Sequence, residues 1–309
     1  MRHSVAMPIT PLPRHLTGAP FAVSTAAEAS VSAKRLRGRD LDRSIWGVRR
    51  QKTLPDTLTA RCRAFALRMP ADAVFSHATA ALLVNAPLPL RLELSTSVDI
   101  AVPAPGRAPH ARGIRGHAIR LNDDDDVVVT SGVRHTSPER TWCDLAATLT
   151  LFELVALGDF VIHWRLPLAS VAQLSAKSLA YAGQPGIARI REALPLLSDR
   201  SESPPESALR VVIVQAGLPT PRVNYELVHL ETGSTVRTDL AFEKYKVLLE
   251  YQGDYHRTSK GQWRRDMTRR SRLEAAGWIV IEINADDLRD PVELVARIES
   301  ALSRQGWRR

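Results

Sequence analysis

Three acidic residues near the C-terminal end stand where plain structure does not ask for them: Glu206, Asp239 within VRTDLAF, and Glu250 within KVLLEYQ. Glu250 and Gln252 lie two apart, so on a strand both side chains point to one sheet face. In a stretch as apolar as KVLLEYQ, burying a carboxylate costs several kcal/mol unless it is paired, near water or bound to metal. Two carboxylates from neighbouring strands, Asp239 and Glu250, joined by the main-chain carbonyl of Tyr251, could hold one Mg²⁺ through oxygen ligands and leave positions open for water and phosphate. Such an arrangement serves phosphodiester hydrolysis.

The flanking pattern supplies elements to position these groups. The Ser/Pro-rich LSDRSESPPESALR marks a domain boundary and ends with Pro205 and Glu206 opening a helix over 205–216. Strands are expected at 222–229, 236–242 and 246–252, a basic helix at 260–276, a strand at 278–284 and a helix at 291–303. The order α-β-β-β-α-β-α implies a mixed sheet flanked by helices. From 257 to 272 the chain carries Arg257, Lys260, Arg264, Arg265, Arg269, Arg270 and Arg272 against Asp266 alone. An intrahelical pair with Arg269 or Arg270 explains that aspartate, and the remaining charges would bind a DNA backbone. Tyr251, Tyr255 and Trp263 read as contacts to bases or sugar or, more simply, as core or rim packing. Asp286 and Asp287 read as helix caps rather than ligands.

Of the formal charge of +9, all falls within residues 1–70, where thirteen Lys and Arg face four Asp and Glu. A concentrated basic segment points to a polyanion, nucleic acid or an acidic membrane surface, with simple solubility as the plain alternative. The stretch FAVSTAAEASVSAKRLRGRDLDRSIWGVRR reads as helix, turn, basic helix and strand, the order of a small winged-helix unit. Lys34, Arg35, Arg37 and Arg39 would then lie on or just past its recognition helix. No long amphipathic helix with Trp, Phe and Leu on one face supports the membrane alternative. Residues 56–69 and 74–86 read as apolar helices, followed by short strands near 98–102, 117–121 and 126–130. Asp123 to Asp126 could offer oxygens to a hard cation, but four adjacent side chains cannot converge on one ion, and a solvated turn is the simpler reading. Residues 137–197 read as all-helical scaffold.

The order Glu206, Asp239, then Glu250-Tyr251-Gln252 resembles the PD-(D/E)XK nuclease superfamily. More narrowly, EYQGDYHR followed by RRDMTRRSRLEAAGWIVIEIN is similar to the very-short-patch-repair endonuclease-like domain. The resemblance implies that Asp239 and Glu250 hold the metal and that Glu206 is an accessory acid on the helix. Gln252 stands where the superfamily pattern has lysine, so neutral hydrogen bonds replace an ammonium that would orient water and steady the phosphorane. His256, six residues after Glu250, could serve as general base or transition-state donor, or be a surface turn histidine. The first 200 residues, through GVRR, SHATAALL and TSPERTWCDLA, resemble the AbiEi-like type IV antitoxin regulators, whose N-terminal winged helix binds DNA.

The sequence therefore leads to an α+β and α/β multidomain protein. A winged-helix unit is expected over 1–55, an antitoxin-like scaffold over 56–200 and a restriction-endonuclease-like domain over 201–309. The expected function is Mg²⁺-dependent DNA endonuclease (Mn²⁺ as substitute) acting on double-stranded DNA; the rival is a non-catalytic antitoxin-like regulator with a degenerate nuclease fold. Cys62 and Cys143 lack metal-ligand spacing, and MRHSVAMPITPLPRH lacks the apolar core of a signal peptide, so a cytoplasmic protein with free thiols is expected.

Overall fold

The computed structural model describes residues 10–228, 235–252 and 260–309. They form a mixed α/β chain with three sheets and divide into two compact units, one of Met1–Asn85 with Leu90–Thr141 and one of Ala86–Pro89 with Trp142–Arg309.

The first unit opens with β1 (Phe21–Ala22), α1 (Val23–Glu28), β2 (Leu41–Asp42) and β3 (Val48–Gln51). The strands form an antiparallel sheet in the order β1-β3-β2, beside a core of Leu16, Phe21, Ala26, Leu36 and Leu41. In place of the expected basic recognition helix, the chain makes a single 3₁₀ turn, Arg35–Arg37. The reason is local. Arg35 folds back over Gly38 to grip Asp40 with both terminal guanidinium nitrogens, at 3.0 and 2.7 Å, and a Cβ on Gly38 would stand 2.6 Å from each partner. Arg35 is thus a largely buried structural cation, whereas Lys34, Arg37 and Arg39 are exposed on a turn.

The unit continues through α2 (Leu58–Ala66), β4 (Val74–Phe75), α3 (His77–Leu83), α4 (Leu90–Glu93), β5 (Val98–Pro103), β6 (Ile114–Ile119), α5 (Asp123–Asp126), β7 (Val127–Thr130) and β8 (Val133–Thr136). The five strands make a mixed sheet in the order β6-β5-β4-β8-β7. The single helix expected over 74–86 is instead strand then helix, because Val74 and Phe75 pair with Ala101 and Ile100. The acidic run is one helical turn. Its last member, Asp126, is buried, pairs with Arg140 at 3.0 Å and accepts the Asn122 N–H at 2.9 Å, so it serves the fold.

Helix α6 (Pro138–Leu145) leads into the second unit, which holds α7 (Leu151–Val161), α8 (Val171–Ala180), α9 (Ile187–Ala193) and α10 (Pro204–Gln215). The boundary expected near residue 200 falls inside this unit, since α7 is tied to α10 across it. Asp159, 1% exposed, pairs with Arg210 and accepts Ser207 Oγ–H and the Ser198 N–H, both at 2.7 Å. Burial lifts its carboxyl to about 6 even beside that guanidinium.

The remaining elements are β9 (Arg222–Val228), β10 (Thr235–Phe242), β11 (Val247–Tyr251), α11 (Lys260–Ala275), β12 (Ile279–Ile283), α12 (Ala285–Arg289) and α13 (Pro291–Arg304). The sheet order is β12-β11-β10-β9, antiparallel except for the β11–β12 pair. A parallel pair needs a crossover, and α11 provides it. Helix α10 starts at the Ser203 cap with Pro204 behind it, and presents Leu209 and Ile213 to one sheet face. Helix α13 adds Leu294, Ile298, Ala301 and Leu302, an i, i+4, i+7, i+8 stripe. Asp286 and Asp287 belong to a helix of their own, α12, capped by Asn284, with Asp287 returning to the Asn284 N–H at 2.9 Å. Both cysteines are buried and neither is in a disulfide. Among the described residues no helix is long and apolar enough to cross a membrane.

Candidate active site

On the α11 side of the sheet, Ala241, Leu248, Val280 and Leu273 form a small apolar layer. Two residues along each central strand from Ala241 and Leu248 come Asp239 and Glu250, on the same face. The β10–β11 register, with Leu240 opposite Leu249, continues to set Asp239 opposite Glu250. Both line a cavity of about 250 Å³ together with Tyr251, Gln252, Arg237, Arg269, Arg270 and Glu282. Glu282 arrives because the parallel register pairs Glu250 with it. Asp239, Glu250 and Gln252 thus line one cavity.

Each acid has a distinct electrostatic setting. Asp239 accepts the Tyr251 N–H at 2.7 Å; burial nevertheless raises its carboxyl above the ordinary range, opposed by that bond and by Arg269 and Arg237 and reinforced by Glu202. Glu250 is paired with Arg269, which also donates to the Arg237 carbonyl at 2.8 Å. Glu206 is buried at the start of α10, where it accepts the Glu202 N–H at 3.0 Å and the Ser203 hydroxyl at 2.8 Å. Burial raises its carboxyl too, and Asp239 adds to the rise, which ties the two acids into one field. Glu206 does not line the cavity; it holds the helix start beside it.

Between them stands Asn224 on β9, with a left-handed φ of 51° inside a strand. Asparagine is one of the few non-glycine residues that tolerate this region, and the bonds around it hold it there. Its side chain accepts from Arg237 Nε at 3.1 Å and lies 3.4 Å from Glu206 Oε2, and Arg237 pairs in turn with Glu202.

Several site expectations shift. Arg269 and Arg270, expected as phosphate contacts, each engage carboxylates of this domain. Arg269 turns inward to Glu250, and Arg270 bonds Glu274 at 2.9 Å and lies 3.4 Å from Glu282. The signal for this is Leu273: four and three residues earlier on a helix, Arg269 and Arg270 share its sheet-facing side. Arg237, Glu202 and Asn224 carry no such signal, because their roles depend on cross-strand register. Tyr251 contributes its N–H to Asp239, and its ring joins the opposite core. His256, Arg257 and Tyr255 lie outside the described residues, as do the side chains of Lys260, Trp263, Arg264, Arg265 and Asp266.

The donor set suits a hard divalent cation: two carboxylates on one face, with a guanidinium supplying the positive charge at Glu250. Among the described residues no group of three or more His, Cys, Asp and Glu is gathered for a metal, so the pair would be completed by water or substrate oxygens.

A second polar cluster lies in the first unit, where Ser76 and His77 of SHATAALL meet Asp99 and His117. The His77 and His117 rings stack at 3.7 Å, His117 Nε2 lies 3.0 Å from Asp99, and His77 Nδ1 lies 2.9 Å from Ser76 Oγ. Ser76 and Asp99 are buried, and the His77 backbone has a φ of 48°. Burial first, then His117, push the His77 imidazole down to about 3, with Arg140 and Arg115 adding and Asp99 opposing. Between its ordinary 6.5 and about 3 the unfolded chain binds a proton that the folded chain refuses, so this group removes stability as pH falls through that window. Unfolding measured from pH 7 to 4 should show the wild type losing more stability than His77→Asn, a replacement that tolerates positive φ and cannot titrate. Parallel pH curves for the two proteins would contradict the assignment.

No family model matches the chain. It is 36% identical over 175 residues to an uncharacterized protein found in two strains of Mycobacterium tuberculosis, an alignment covering 56% of this chain. The chain spans 64% of the length of those relatives. Among solved structures, the catalytic domain of the homing endonuclease I-Bth0305I overlaps 33% of this chain and 97% of its own, at 18% identity and a TM-score of 0.27. That overlap is slight.

Proposed function

We propose that the protein is a divalent-metal-dependent DNA endonuclease whose site is built on Asp239 and Glu250. The supporting observation is the placement of both carboxylates, on neighbouring strands, in one cavity with Gln252 and Arg269. Bound Mg²⁺ would act as a Lewis acid and lower the pKa of its water. Asp239, fixed by the Tyr251 N–H, and Glu250 would hold the ion. Gln252 would position water through its amide, and His256 is proposed as the proton acceptor. Glu206 would serve as an accessory acid at the start of α10, its own carboxyl raised by burial and by Asp239. Double-stranded DNA is the proposed substrate, held by the exposed Lys34, Arg37 and Arg39 and by the basic start of α11 with Arg257, Lys260, Arg264 and Arg265. The test is incubation of supercoiled plasmid with Mg²⁺ or with EDTA: nicking with the metal alone is expected, and equal nicking in EDTA would sink the metal requirement.

A second reading has its own observation. Glu250 is engaged by Arg269, and Gln252 replaces an ammonium, which suits a nuclease scaffold that binds DNA without cutting it. Under this reading, footprinting on the promoter of its own gene shows sequence-specific protection in Mg²⁺ with no strand cleavage.

A further inference from the structure

The first unit holds a larger cleft that neither reading uses, about 770 Å³ between β3, the side of α2 and the turn at Arg112 and Gly113. Its acids are Asp42 and Asp56, and both face Arg50, at 3.6 and 3.0 Å. Three guanidinium groups on its walls, Arg49, Arg61 and Arg112, have no carboxylate partner among the described residues. Arg49 donates from Nε and Nη1 to the carbonyls of Leu36 and Val48, both at 2.7 Å, which fixes its plane without neutralising it. Burial first, then the neighbouring Arg43, hold Arg49 below its ordinary pKa. Arg61 Nε is buried and has no hydrogen-bond partner. A buried guanidinium donor without an acceptor is costly, and a planar fork of this kind matches phosphate oxygens.

The rest of the cleft mixes apolar Ile45, Val48 and Phe65 with the hydroxyls of Ser44, Thr96 and Ser97. The turn between Ile45 and Val48 carries Trp46, 81% exposed, with Arg68 over its ring at 4.7 Å. Guanidinium groups on the walls, the Phe65 ring among the apolar lining and a volume within the usual ~300–1,000 Å³ of small-ligand sites describe a place for one charged head and one ring. We propose that this cleft binds a phosphorylated ligand of mononucleotide size, its phosphate held by Arg49, Arg61 and Arg112. The inference is independent of the chemistry assigned to Asp239 and Glu250.

Calorimetric titration of the full chain with adenosine 5′-monophosphate, adenosine, inorganic phosphate and a short single-stranded oligonucleotide tests it. One equivalent of the monophosphate should bind, with adenosine about tenfold weaker or more, since a charge-assisted bond is worth roughly 1.5–3 kcal/mol. Arg112→Gln, on an exposed turn, and Arg61→Gln should each weaken binding about tenfold. If Arg61→Gln fails to fold, Arg112→Gln decides. Binding of the oligonucleotide alone, weakened by the same variants, supports the same phosphate chemistry with a nucleic-acid chain as its source. Failure of all four ligands to bind, or binding that neither variant changes, overturns the proposal.

Discussion

Replacing Asp239 by alanine should lower Mg²⁺-dependent plasmid nicking by about three orders of magnitude or more. The ion supplies several kcal/mol of charge stabilisation, and each ~1.4 kcal/mol lost is a factor of ten. The same replacement should leave the melting temperature unchanged or raise it, because burial already lifts the Asp239 carboxyl above its ordinary range and its ionised form is poorly accommodated. Loss of rate without loss of stability separates a functional acid from a structural one. Nicking by Asp239→Ala at the wild-type rate would remove this residue from the chemistry, and a collapse in stability would recast it as a support of the fold.

The largest effect on stability should come from a different acid. Asp159→Ala leaves Arg210 charged, 5% exposed and without its carboxylate, and removes one acceptor of Ser207. Breaking one side of a buried pair of this kind costs about 3–5 kcal/mol. Replacing both partners, Asp159→Leu with Arg210→Met, should cost far less, since the buried charge goes with its partner. Urea denaturation of the three proteins gives the comparison. If the double variant is as unstable as Asp159→Ala, the seam between α7 and α10 depends on shape rather than on the ion pair.

Much of the second unit is legible because its signals are local. Ser203 and Pro204 open α10, Pro291 opens α13, and strict apolar periodicity separates strands from helices, so each of these elements falls within a few residues of expectation. Asp239 and Glu250 are legible for a related reason: a carboxylate in an apolar strand is conspicuous. The features that escape a reading of the sequence depend on partners distant along the chain. Strands β4 and β8 are two and four residues long and exist through pairing with each other and with β5 and β7. The Arg35 turn follows from a bidentate grip on Asp40 that composition cannot reveal, and so the charge excess suggests a helix that is not there. Arg269 looks like surface charge until its helix face is fixed by Leu273, which packs on the sheet. The cleft at Arg49, Arg61 and Arg112 draws on three segments, each of them ordinary alone.

The central proposition is that Asp239 and Glu250 jointly hold a divalent cation, for which Arg269 now supplies the opposing charge at Glu250. Anomalous diffraction from a crystal soaked in Mn²⁺ tests it most directly. The expected result is one peak between the two carboxylates, with Arg269 withdrawn from Glu250. The contradicting result is Arg269 still on Glu250 and no manganese at either acid.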